Sequence, residues 1–295
     1  MTGNTGNTGN TGNTGNTGNT GNAGNQGGGG GGWSFTDRAG LPFLNDRANG
    51  VNTGSIPPIP GGYPPNTSGA TWIGWHAMTQ FAAMTGWGGI PLTPPNESDA
   101  AVAAELAGLV ELAKRERADA LGEIQAQSSE TLSWFMGLLG ASAHSHPHTH
   151  RLLWAATLIA TFMAMHYKHM YMRQRPSILA PALLPPMEVP GHPAYPSGHA
   201  SQAYLMAYCA SAILPPRLKP LYADNLLALA KRIAHNREIA GLHYPSDSEA
   251  GAELAGGIME FLIGAKNWKA TAFDDYPEGW FRAMARAAHG EWTDR

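Results

Sequence analysis

The chain has one cysteine, Cys209, among 295 residues. A lone thiol excludes an intramolecular disulfide and any zinc site built from several cysteines, and it fits a reducing compartment. Charge is also scarce: 14% of residues are charged, 19 Lys+Arg stand against 22 Asp+Glu, and the net charge is −3 with no run of Lys or Arg. Binding to nucleic acid draws its affinity from released counterions, and this chain offers no basic surface to release them, so no nucleic-acid partner is expected. Long hydrophobic runs are missing too. The most apolar stretch, Leu152 to Met165, is followed by His166 and Lys168, while Ala200 to Leu214 carries Ser201, Gln202, Tyr204, Tyr208 and Ser211. A bilayer needs roughly 20 apolar residues, so both read as buried helices and no membrane span is expected. No basic segment adjoins an apolar one at the N-terminus, so no secretory signal is visible and a soluble, cytoplasmic protein is the expectation. Alternating β-branched stretches do not stand out either, which leaves an all-α class.

Glycine is abundant, at 37 residues, and 14 of these fall in the first 32, which carry no charge. Residues 2–22 repeat Thr-Gly-Asn seven times before the tract decays into six Gly at 27–32. Such a segment has no apolar surface to offset the entropy of ordering it, so 1–32 reads as a disordered tail. Residues 33–97 are rich in Pro, Gly and Asn and read as an irregular arm, with one short helix around Trp72 to Met84. Asn96 is a plausible N-cap for a long helix with Val102, Leu106, Leu109 and Ala113 on one face. Further apolar or helical patterns cover Leu132–Leu139, a start at Leu152, then Ala200–Leu214, Leu221–Ala240 and about Ser246–Gly264. Residues 98–270 thus read as a single helical-bundle domain and 271–295 as a C-terminal extension.

Three segments concentrate reactive side chains. In Lys168-His-Met-Tyr-Met-Arg-Gln-Arg175-Pro176 the two cations lie seven residues apart. On one helix that is two turns, about 10 Å, so long side chains from one face can reach one anion. Pro176 disfavours helical geometry at the preceding residue and places Arg175 at the helix end. In Tyr195-Pro-Ser-Gly-His199, just before a helix, Gly198 lets a ligand approach the backbone and the free amides of the helix start aim at it. Ser197 can donate to an oxyanion and His199 can exchange a proton near neutral pH. In Asn236-Arg237-Glu-Ile-Ala-Gly-Leu-His243-Tyr-Pro-Ser-Asp247, Arg237 closes a helix, Gly241 permits the turn and Pro245 suits the next helix start. Asp247 in that first turn can hold the Nδ1 proton of His243 and leave Nε2 free as a nucleophile. Each segment alone also suits a bland role: a solvated basic face, a turn with its cap, a His–Asp capping contact. Together they supply permanent cations, a hydroxyl, helix-start amides and two histidines, as a tetrahedral oxyanion requires.

At these residues the chain resembles the superfamily of type 2 phosphatidic acid phosphatases, bacterial class A acid phosphatases and vanadium-dependent haloperoxidases. The pattern K-x6-RP, PSGH, SR-x5-H-x3-D is met at Lys168, Arg175, Pro176, Pro196, Ser197, Gly198, His199, Arg237, His243 and Asp247, with Asn236 where many members carry Ser. The resemblance implies that His243 attacks phosphorus to form a phosphohistidine, that His199 protonates the leaving group, and that Asp247 orients His243. Lys168, Arg175, Ser197, Gly198 and Arg237 would hold the equatorial oxygens. The implied enzyme is a phosphoric monoester hydrolase that needs no metal and acts on a small phosphorylated substrate. The alternative is a haloperoxidase holding vanadate on His243, with halide and hydrogen peroxide as substrates; His192, seven residues before His199, and Ala200 resemble that branch. A non-catalytic phosphate-binding protein is the second alternative. Related soluble enzymes often assemble, so a homo-oligomer is within expectation.

Other clusters read as structural. His144, His146, His148 and His150 surround Pro147 in what reads as a polar connector rather than a metal site. Met163, Met165, Met170 and Met172 read as core filling beside Lys168. Gly251, Gly256, Gly257 and Gly264, with neighbouring alanines, suggest close helix contact rather than a phosphate loop.

Overall fold

The computed structural model describes residues 69–271 and 275–293. The Thr-Gly-Asn tract and the arm as far as residue 68 lie outside the described residues. Within them the chain is helical and contains no strand: α1 (Ala70–Ala83), α2 (Asp99–Arg115), α3 (Arg117–Ser129), α4 (Leu132–Leu138), α5 (Pro147–Tyr171), the single turn α6 (Pro176–Leu179), α7 (Gly198–Ile213), α8 (Lys219–Ile239), α9 (Pro245–Ile263) and α10 (Trp280–Thr293). Among the described residues no helix is long and apolar enough to cross a membrane.

The centre of the bundle is α7, which packs against α5, α8 and α9, while α1 and α10 lie on α5. Its composition accounts for that position. Ala200, Ala203, Leu205, Met206, Ala207, Cys209, Ala210 and Ile213 are all buried, so small side chains on every face let neighbours approach. Two glycines allow α9 and the segment before α2 to close in. A Cβ at Gly251 would lie 2.6 Å from the Ala200 Cβ and 2.9 Å from the Ser197 carbonyl oxygen, and one at Gly257 would lie 2.5 Å from Ile90 Cγ2. Gly256 has nothing within 4 Å of such an atom, and Gly264 is the left-handed C-cap of α9, so the close-contact expectation holds at only two of the four glycines.

Several element limits differ from the sequence expectation, each for a local reason. Ser98, not Asn96, caps α2: its side chain accepts from the Ala101 amide, while Asn96 Oδ1 accepts from the Ser98 amide one step earlier. Helix α5 begins at Pro147 rather than Leu152. Proline at the first helical position gives up an amide that has no helical partner anyway. The next amides, His148 and Thr149, donate to Glu291 at 2.7 and 2.8 Å, so α10 caps the start of α5 across the fold. Nothing in the sequence reading assigns α10, yet its buried residues Phe281, Ala285, Ala288 and Trp292 recur at helical spacing.

Helix α5 also ends sooner than the motif spacing suggests. Met172 takes a left-handed conformation with φ 51°, and the helix stops at Tyr171. Arg175 therefore sits on a separate segment as the N-cap of α6, not two turns along the Lys168 helix. At the end of α5 Met170 and Met172 are 58% and 63% exposed, so only Met163 of the four methionines is a fully buried core residue.

Candidate active site

The three motifs meet at one end of the bundle, at the C-terminal ends of α5 and α8 and the N-terminal ends of α7 and α9. Backbone bonds set the frame. The Ser197 amide donates to the Asp247 carbonyl at 2.9 Å, joining the starts of α7 and α9, and the Ala194 amide donates to the Arg173 carbonyl at 2.9 Å. Gly241, at φ 73°, makes the reversal between α8 and α9 that returns His243 to the site.

Lys168 and Arg175 reach this place by different routes from the one the spacing implies, yet they clasp the same loop. Lys168 Nζ donates to the carbonyls of Pro193 and Ala194, each at 2.7 Å. Arg175 Nε donates to the His192 carbonyl at 3.0 Å, and Nη1 donates to the Leu242 carbonyl at 2.9 Å and to His243 Nε2 at 3.2 Å. From the far side Arg237 Nη2 donates to the Ile124 carbonyl at 2.7 Å. The three cations are 1%, 2% and 0% exposed, and none has a carboxylate within ion-pair distance among the described residues. Arg237 Nε is buried without a hydrogen-bond partner. Three desolvated cations with donors still unspent are costly alone and are stabilised by an anion between them.

The histidines are held in defined tautomers. Asp247 Oδ2 lies 3.0 Å from His243 Nδ1 and accepts from the Tyr244 amide at 3.0 Å, so the Nδ1 proton stays and Nε2 keeps its lone pair, facing Arg175. Burial first, then Arg175, Lys168, His192 and Arg237, hold the His243 imidazole well below its ordinary pKa. It is therefore neutral at pH 7. His199 Nε2 lies 3.2 Å from the Gln127 carbonyl and donates to it, which leaves Nδ1 as the exchanging nitrogen. Enclosure, followed by Arg237 and His243, depresses this imidazole as well. An anion between the cations would oppose the influence of Arg237 and favour the charged form of His199.

Ser197 is the N-cap of α7: its hydroxyl oxygen accepts from the Ala200 amide at 3.3 Å. The capping role and the oxyanion role coexist, because the hydroxyl proton and the next two helix amides, those of Gly198 and His199, are outside that bond. His192 Nδ1 lies 3.1 Å from Arg175 Nη2, and burial, Lys168 and Arg175 push its imidazole down to about 4. It is a neutral neighbour of the cage. Asn236 stands behind the site: its side-chain amide donates to Gln127 Oε1 at 2.8 Å and Glu123 Oε2 at 3.0 Å.

One group escapes the motif reading. Arg173 Nη1 lies 2.6 Å from Asp247 Oδ1, its Nη2 lies 2.8 Å from Glu105 Oε2, and its guanidinium sits 4.0 Å above the Tyr244 ring. Arg173 is inside the first motif, but spacing alone gives no reason to prefer it. Glu105 lies on α2, outside every motif.

Among the described residues no three His, Cys, Asp or Glu side chains meet in a metal-ligating group, the 143–150 histidines included. His148 and His150 belong to the first turn of α5, and His146 stacks on Trp292 at 4.3 Å. Two surface clefts of about 510 and 500 Å³ lie away from the motif residues, beside Tyr208 and Trp268 in one case and Trp134 and Leu229 in the other.

Residues 150–270 match the family model of the PAP2 superfamily. The matched stretch runs from α5 through α9 and contains all three motifs. No curated protein sequence matches the chain.

Proposed function

We propose, from the match of residues 150–270 to the PAP2 superfamily and from the geometry of the cage, that the protein is a phosphatase that hydrolyses phosphate monoesters without a metal, through a phosphohistidine on His243. The observation that carries this reading is the conjunction of three buried cations, none with a carboxylate at ion-pair distance among the described residues, with a neutral imidazole whose Nε2 lone pair faces Arg175. A phosphate ester entering the cage accepts the Arg175 Nη1 hydrogen bond that now rests on His243, together with hydrogen bonds from Lys168, Arg237, the Ser197 hydroxyl and the Gly198 amide. His243 Nε2 then attacks phosphorus in line with the ester oxygen: the N–P bond forms and the P–O bond breaks. His199, charged once the anion is present, gives its Nδ1 proton to the departing alkoxide. The same nitrogen then takes a proton from water as it attacks phosphorus, the N–P bond breaks and inorganic phosphate leaves. Stabilising the equatorial oxygens is the largest contribution, with each preorganised donor worth about 10²–10³ in rate.

His192 favours a second reading. Its Nδ1 against Arg175 places a third imidazole at the cage, and the same residues suit a resident vanadate. Lys168, Arg175, Arg237, Ser197 and Gly198 would hold its oxygens and His243 Nε2 would ligate it. Bound there, vanadate supplies peroxide activation toward halide.

The test is turnover of p-nitrophenyl phosphate by purified protein in the presence of a chelator, with His243→Ala as control. The phosphatase reading expects vanadate-inhibited hydrolysis that is absent in the variant. Hydrolysis that persists in His243→Ala, or none in the wild type, contradicts it. Bromination of monochlorodimedone by vanadate-loaded protein and peroxide, suppressed by phosphate, would favour the second reading.

A further inference from the structure

We propose that Arg173 is a positioning residue that acts on His243 through Asp247, with Glu105 as its outer anchor. The geometry is a continuous chain of four charged or polar groups. His243 Nδ1 and the Tyr244 amide occupy Asp247 Oδ2, each at 3.0 Å, and Arg173 Nη1 occupies Oδ1 at 2.6 Å. All three are donors, so the set accommodates an acceptor-only carboxylate and not a protonated acid. Without Arg173 only the two bonds at Oδ2 would hold the carboxylate, so it could tilt about its Cβ–Cγ bond and the Nδ1 acceptor would be less firmly placed. Arg173 cannot turn easily itself: Nη1 also donates to Ser246 Oγ at 2.8 Å, Nη2 reaches Glu105, and the Tyr244 ring lies beneath the guanidinium. Glu105 in turn accepts from the Ser246 amide at 2.9 Å, so α2 is fastened both to Arg173 and to the start of α9.

Asp247 is 0% exposed and Arg173 2%, so the pair sits where charge is expensive and geometry strict. Around Asp247 stand Lys168 from α5, Arg173 and Arg175 from the segment after it, Tyr195 before α7, and His243 and Tyr244 before α9; Glu105 of α2 faces it through Arg173. Burial raises the Asp247 carboxyl above its ordinary value, and Arg173 is the largest opposing influence. Removing that cation lets the coupled His243–Asp247 pair take up a proton at higher pH, whichever member holds it.

The kinetic part of the test rests on the phosphatase reading; the spectroscopic part does not. In Arg173→Gln, nitrogen-15 resonances of labelled histidine should show the titration of the His243–Asp247 pair moved to higher pH and the single Nδ1–H tautomer of His243 replaced by a mixture. Arg173→Lys should restore part of both. With p-nitrophenyl phosphate, kcat should fall about 10–100-fold while KM changes little, and the acid limb of kcat should move up in pH. Should Arg173→Gln fail to fold, Glu105→Gln carries the same test. It leaves Arg173 on Asp247 and frees its other end, and should produce the same tautomer mixture with a smaller loss of kcat, while the titration, relieved of an anion instead of a cation, should not move to higher pH. An unchanged tautomer and titration in a folded variant overturn the proposal even if activity falls. A wild type without hydrolysis but with the resonance shifts in the variant contradicts the phosphatase reading alone.

Discussion

At the residue scale the account turns on fixed positive charge around a neutral imidazole. Arg237→Ala removes one of three buried cations and should lower kcat/KM about 10²–10³-fold. Asn236→Ser removes only donors to Gln127 and Glu123 behind the site and should cost less than about tenfold. Steady-state kinetics on the two variants checks the order, and equal losses would misplace the cage. The direction of the His243 shift gives a second outcome. The nucleophile must be unprotonated, and burial with Arg175 holds its pKa below the ordinary value of 6.5. Activity should thus persist as pH falls through 6.5 and fail only below it. Arg175→Gln should move that limb upward as well as reduce the rate, and a pH profile of kcat/KM measures both. The grouping of the motif residues was legible in the sequence because an anion cage constrains residue type: imidazoles, a carboxylate beside one of them, and several cations. Arg173 and Glu105 were not, because their roles arise from a contact between residues 68 positions apart.

At the element scale, apolar spacing was enough to find α2, α7, α8 and α9 to within a few residues. It failed where one local feature supports two outcomes. Pro147 reads as an interruption but opens α5; Pro176 reads as the stop of the Lys168 helix, although the stop comes earlier, at left-handed Met172. The junction of α7 and α9 matters most for the chemistry, because Ser197, Gly198 and Asp247 all lie on it. Gly251→Ala would place a methyl group 2.6 Å from Ala200 and 2.9 Å from the Ser197 carbonyl, against backbone and a buried neighbour. Overpacking there should destabilise the fold by about 1–3 kcal/mol. It should also lower kcat, since it forces the two helix starts apart. Gly256→Ala, with open space at its Cβ, should do neither. Thermal melting and turnover on the two variants separate the cases.

At the scale of the molecule the chain divides its work between the two ends of α5. Lys168 sits near its C-terminal end in the cage, while about 30 Å away the first turn is closed by Glu291 and Trp292 of α10. Glu291→Ala removes acceptors from the His148 and Thr149 amides and should cost about 0.5–2 kcal/mol by denaturant melting. The KM and kcat of the folded protein should stay near wild type; a large catalytic loss would mean that the two ends are coupled. The all-α class was legible from composition and periodicity, and the matched stretch 150–270 covers the helices that build the site. Helix α10 carries a helical pattern at Phe281, Ala285, Ala288 and Trp292, but its capping of α5 was not legible, because that contact joins residues 142 and 143 positions apart.

The central claim is that residues brought from α5 to α9 enclose one tetrahedral anion with His243 in line. A crystal structure of the protein soaked with vanadate tests it most directly. The account expects vanadate joined to His243 Nε2, with Lys168, Arg175 and Arg237 on its equatorial oxygens and His199 at the opposite apex. Vanadate held elsewhere, or these side chains turned away from a common centre, would contradict it.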